Sequence, residues 1–161
     1  NLEPFKVKSI DGFAMLFNLK RINQLKNFEN RLYFDENIFL YLENDDLCKR
    51  LMDIKENIYV VPKSKIHHKA ASAVSKKYSH QIELSRNWHW IWSKFYFNKK
   101  HKGYITALLN GLPTFLSSSL KFLFYSITIN KKKREIYLFR AYGYLSAAFG
   151  KKSYLRPNID I

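Results

Sequence analysis

A single cysteine, Cys48, stands in a chain of 161 residues. One thiol closes no internal disulfide and furnishes no zinc knuckle, so a cysteine-built scaffold or metal site is excluded and a reducing, cytoplasmic compartment is the expectation. Acids are scarce as well: 13 Asp and Glu against 28 Lys and Arg leave a formal charge of +15. That excess gives the surface a positive potential and points to a polyanionic partner, whether nucleic acid, an anionic membrane or a phosphate-bearing substrate. Long apolar runs are also lacking. The nearest approach, residues 112–129 (LPTFLSSSLKFLFYSITI), is broken by Lys121 and a serine triplet, so an interfacial helix is expected there and not a membrane span. The opening NLEPFKVKSI has neither the charged start nor the apolar middle of a signal peptide, and the chain is expected to begin inside a longer protein. Low-complexity linkers and internal repeats are missing too.

What is present is apolar and aromatic: 47% of the residues are hydrophobic and 17% aromatic, enough for one domain with a modest core and some appended structure. Residues 7–17 read as an extended segment, a turn or close approach at Gly12, and a buried strand or strand-to-helix transition at AMLF. Asn18 is a plausible cap for a helix to about Leu25. A loop at Phe34-Asp35-Glu36 leads into the aromatic run Phe39 to Leu42, and helical spacing follows through Leu47, Arg50, Leu51 and Ile54. Residues 58–61 read as a strand ended by Pro62, and residues 65–68 as a short extended piece. A long helix is predicted over 81–100, with Leu84, Trp88, Trp92 and Phe95 on one face and Gly103 as its C-cap. The pattern then changes near Lys102. This sets residues 1–102 apart from a basic, aromatic, helical tail over 103–161.

The densest polar cluster is Glu43-Asn44-Asp45-Asp46, between FLYL and LCKR. A carboxylate where a buried strand meets a helix start suits a general base. The same residues equally suit a helix N-terminus with solvated acids.

Further elements accompany this cluster: Gly12-Phe13-Ala14-Met15-Leu16-Phe17, Phe34-Asp35-Glu36, ENDDLCKR at 43–50, Tyr59-Val60-Val61-Pro62, His68, Ser85-Arg86-Asn87 and Lys100-His101. In order and spacing, over about residues 7–103, the set resembles the C-terminal half of family 2 glycosyltransferases of the rhamnosyltransferase-like kind. The resemblance implies an α/β fold, the C-terminal part of a GT-A, Rossmann-like domain, followed by basic amphipathic helices. It implies inverting transfer of a sugar, such as rhamnose, from a nucleotide-sugar donor to a cell-surface glycan or lipid-linked acceptor. Glu43 matches the first acid of the family's catalytic pair and becomes the expected base. Asp46 would orient it or cap the helix, and Asp45 is the weaker substitute. Asn44 replaces the second acid and cannot take up a proton. Asp11 and Gly12 are expected at the acceptor, Gly12 by allowing close backbone approach. His68 stands where the family histidine approaches the metal or diphosphate, and its neighbour His67 would point the other way in an extended segment. Arg86 is either a diphosphate contact or an ordinary exposed helix arginine. The family's divalent metal (Mg or Mn) and its D-x-D motif belong to the donor side, so this chain by itself is expected to lack the donor site and to be inactive.

Of the tryptophans, Trp88 and Trp92 are expected in the core and Trp90 free for an interface or substrate. Apolar helices flanked by Lys and Arg suit the headgroup region of an anionic leaflet, which places the protein peripherally on the inner face of the cell membrane. The alternative is a basic nucleic-acid-binding module, for which no helix-turn-helix, zinc-finger or RNP signature is present. Burial of the tail's aromatics in a dimer interface is a further possibility.

Overall fold

The computed structural model describes residues 2–22, 24–25, 33–68 and 76–157. The described residues are mostly helical, 59% helix and 4% strand, and divide into two compact units.

The first unit comprises residues 1–36 and 42–72. Its sheet is a pair of antiparallel strands, β1 (Phe5–Val7) and β2 (Ile58–Val60), with Lys6 opposite Tyr59. The short helix α1 (Leu19–Ile22) is capped as expected by Asn18, whose side chain accepts from the Arg21 amide at 3.0 Å. The longer helix α2 (Glu43–Asp53) buries Leu47 and Cys48. Leu47 and Ile22 form a small core joined by Met15, Phe17, Leu25, Leu51 and Ile54.

This overturns the expected α/β fold: the chain is not the C-terminal part of a GT-A, Rossmann-like domain. A doubly wound sheet needs parallel strands joined by crossover helices and buried on both faces. Among the described residues the only sheet is the two-stranded antiparallel one. The AMLF run forms no strand; Met15 and Phe17 turn inward onto α2 while Leu16 is fully exposed. The aromatic run does not continue as a strand either, because Tyr41 and Leu42 take left-handed backbone angles, φ 68° and 66°. Residues 65–68 are likewise irregular.

The second unit comprises residues 37–41 and 73–161. Three helices fill it: α3 (Ser79–Lys102), α4 (Tyr104–Ile127) and α5 (Lys131–Ala148). The change of pattern seen near Lys102 falls at the Gly103 turn between α3 and α4, and α3 packs with the two tail helices in one core. Of the face expected from helical spacing, Trp88, Trp92 and Phe95 are buried on α3, while Leu84 is only half-buried and Ile91 joins the core instead. Two glycines let the helices close. A Cβ on Gly143 of α5 would lie 2.5 Å from the Trp88 carbonyl oxygen, and one on Gly111 of α4 would lie 2.4 Å from the Tyr144 ring. The Tyr144 hydroxyl completes the α4–α5 contact by donating to the Leu108 carbonyl at 3.1 Å.

His89 is buried in this unit. Its Nε2–H donates to the Leu155 carbonyl at 2.7 Å, which leaves Nδ1 to accept from the Ser153 hydroxyl at 3.0 Å. The ring is thus held neutral, and burial pushes its pKa below the ordinary histidine value, with the Arg156 charge acting in the same direction. A folded-state pKa below the unfolded value means stability that is present above about pH 6.5 and is lost as pH falls toward the folded-state pKa. Denaturant midpoints of the wild type, followed by tryptophan fluorescence, are expected to drop below pH 6.5 more steeply than those of His89→Gln. Parallel pH profiles would contradict this role.

Candidate functional site

The ENDD cluster opens α2 at Glu43, two or three residues before the start at Asp45 or Asp46 that the sequence suggests. Leu42 occupies the N-cap position and offers no side-chain acceptor. Left-handed angles at two successive non-glycine residues cost about 1–3 kcal/mol each and persist only where the surroundings impose them. They aim the first turn of α2 at the loop before α1.

That loop carries Gly12. An added Cβ there would meet the Asn44 Cβ at 3.4 Å and Glu43 Oε1 at 3.9 Å, ordinary van der Waals distances, so Gly12 lies beside the first turn of α2 without requiring glycine's missing side chain. Asn44 Nδ2 ties the two segments by donating to the Ile10 carbonyl at 2.8 Å. The departure from the two-acid pattern therefore has a structural use: an aspartate has no N–H to give that carbonyl. Asp45 Oδ1 accepts from the Ser9 hydroxyl at 2.7 Å. Asp11, Gly12, Glu43, Asn44 and Asp45 thus come together in one place.

Within this place Glu43 is singular. Its Oε2 is shielded from solvent and has no hydrogen-bond partner among the described residues. A buried carboxylate oxygen left without a donor costs about 1–3 kcal/mol or more, and such an atom calls for an explanation. A hydroxyl-bearing ligand would supply the missing donor. Asp46 has a different surrounding. It is fully buried and its Oδ2 accepts from Arg50 Nε at 2.9 Å, one turn along α2; Arg50 also donates to the Tyr33 carbonyl.

His68 is exposed, and its ring stacks on Phe13 with centroids 5.0 Å apart and planes at 17°. Stacking thus places His68 beside the Gly12 turn. Among the described residues no three His, Cys, Asp or Glu side chains group to hold a metal ion, so His68 has no partner ligands there. The described residues do not fit the divalent metal that the resemblance implies.

Arg86 and Trp90 belong to the second unit, on α3. Arg86 is exposed, and its neighbour Asn87 receives Arg140 Nη1 at 3.3 Å. Trp90 is 42% exposed and meets the edge of Tyr41 at 5.4 Å, while Trp88 and Trp92 are buried. Ser9, the Ile10 carbonyl and Phe13 were not singled out from the sequence. Ser9 and Ile10 carry no distinguishing signal there, and Phe13, although inside the Gly12 motif, gives no sign of its distant stacking partner.

No helix among the described residues is long and apolar enough to cross a membrane. Comparison with known proteins yields no match: no family model fits the chain, and neither a curated protein nor a solved structure is significantly similar to it.

Proposed function

We propose that the chain carries the acceptor side of an inverting glycosyltransferase, with Glu43 as general base. The observation that bears most weight is the unpartnered Glu43 Oε2 in the first turn of α2, beside the Gly12 turn. An acceptor hydroxyl placed between them would donate to Glu43. As its oxygen forms the new bond to the anomeric carbon, the proton passes to the carboxylate, and the nucleoside diphosphate leaves with the electron pair of the broken C–O bond. A single displacement inverts the anomeric centre. Ser9, by holding Asp45, and Asn44, by holding Ile10, would keep the loop and the helix start in register for this step. The ordered set of motifs shared with family 2 glycosyltransferases supports the same chemistry and names the substrate class, a nucleotide sugar with rhamnose as one candidate and a glycan or lipid-linked acceptor. The family's Mg or Mn would act at the donor diphosphate. No step on these residues runs through it.

The surplus of 15 positive charges supports a place on the inner face of the cell membrane, next to a lipid-linked acceptor. Titrating the 161-residue chain with a short oligosaccharide acceptor, followed by amide NMR, is expected to shift residues 9–13 and 43–46 first. Shifts confined to the second unit, or none at millimolar glycan, would contradict the assignment.

A further inference from the structure

Among the described residues, the α4 helix leaves one whole face without a partner. Ile105, Leu109, Leu112, Leu116, Leu120 and Leu123 are all exposed, and their spacing of three and four residues aligns them along one side. Ile127 continues the row at 81% exposure. On the opposite side Ala107 and Ser118 are buried and Gly111 lies against Tyr144 of α5, so the stripe faces away from the three-helix core. From Ile105 to Ile127 the stripe runs about 33 Å along the helix. Soluble monomers rarely expose so continuous an apolar row.

Charge frames both ends. At the start of α4 stand Lys99, Lys100 and Lys102 of the last turn of α3; past its end stand Lys131, Lys132 and Lys133. The first group suits the helix dipole at a C-terminus, but the second opposes it, because a helix N-terminus favours acids. Three lysines and Arg134 in the first turn of α5 are therefore unfavourable locally. Lys132 pairs with Glu83 at 3.4 Å and Lys131 and Arg134 lie near Glu135, yet two acids among four cations leave a net positive patch there that suits an anionic surface. Each end also carries tyrosines under lysines: Lys99 over Tyr104 at 5.7 Å, Lys133 over Tyr125 at 5.2 Å, and Lys121 over Tyr137 at 5.1 Å. Amphipathic aromatics beside cations are the composition of a membrane–water interface.

We propose that α4 lies flat in the interface of an anionic bilayer leaflet, its outward stripe among the acyl chains and the two lysine groups at the headgroups. The proposal rests on the membrane-proximal reading above and deepens it by naming the face. Apolar area and anionic-lipid attraction act together in such helices. A polyanion such as RNA would use the lysines but leave the leucines in water.

The test is flotation of the full chain with vesicles of phosphatidylcholine alone or with phosphatidylglycerol. Binding is expected to the anionic vesicles and to weaken with salt. K131Q/K132Q/K133Q is expected to weaken it about 100-fold. L109Q/L116Q/L120Q is expected to abolish binding with the helical circular dichroism unchanged. Wild type that stays with the unbound protein at low salt would overturn the proposal. So would a wild-type dimer in solution that the leucine variant splits, or RNA binding without vesicle binding. Glu43→Gln is expected to float like the wild type. Flotation without sugar transfer therefore sinks only the enzymatic reading, and transfer to a water-soluble acceptor without flotation sinks only the membrane face.

Discussion

Replacing Glu43 by Gln is expected to lower sugar transfer about 10²- to 10⁴-fold, the usual contribution of a positioned general base. Glutamine matches glutamate in size, so the packing of the Glu43 side chain against Gly12 survives. What it loses is the capacity to take up a proton. The loss should fall on kcat, with acceptor affinity nearly unchanged, because the proton moves only as the new bond forms. The measurement belongs in the polypeptide that carries this segment as the cell makes it, with a nucleotide-sugar donor. Undiminished turnover would remove Glu43 from the base role and turn attention to Asp45, which Ser9 already holds nearby.

Gly143→Ala is expected to be the most damaging single methyl in the second unit. The added carbon would sit 2.5 Å from the Trp88 carbonyl oxygen and 3.3 Å from its carbonyl carbon, and neither backbone atom can rotate away. Forcing extra volume into a packed helix contact costs about 1–3 kcal/mol and occasionally more. For a chain of this length that corresponds to a melting point lower by about 2–12 °C. The same substitution at Gly103 meets no neighbour, although its φ of 89° makes any side chain there strained. A melting point unchanged in Gly143→Ala would mean that α3 and α5 do not approach as closely as described.

How far the sequence could be read differs between the two units. The α3 helix was legible because its apolar spacing, its basic last turn and the Gly103 C-cap all agree. The α5 helix was only partly so: KKKR looks like an interruption, yet the Asn130 side chain accepts from the Lys133 amide at 3.1 Å and starts the helix there. The close approaches at Gly111 and Gly143 leave no local trace, since a glycine inside a helix reads first as a weakness. The short runs AMLF, in the first unit, and FLYL, mostly in the second, suggested strands. Four apolar residues cannot say whether a neighbour exists to pair with them. Nothing in Tyr41 or Leu42 announces a left-handed backbone, which steric crowding normally reserves for glycine and asparagine.

Gly12, Glu43 and Asn44 were singled out by motif order, and they do come together although α/β architecture does not bring them there. Where the resemblance led one to expect a second acid, the Asn44 side chain instead donates to the Ile10 carbonyl at 2.8 Å. Arg86 and Trp90 stand on the other unit, in a helix whose spacing was correct but whose surroundings only three-dimensional packing decides.

The most direct test of the account is the product of transfer. The polypeptide carrying this segment, given a panel of nucleotide sugars that includes a rhamnose donor and a membrane fraction as acceptor, is expected to form a glycoside of inverted anomeric configuration, read by NMR of the released glycan. A product of retained configuration, or no transfer from any donor, would contradict it.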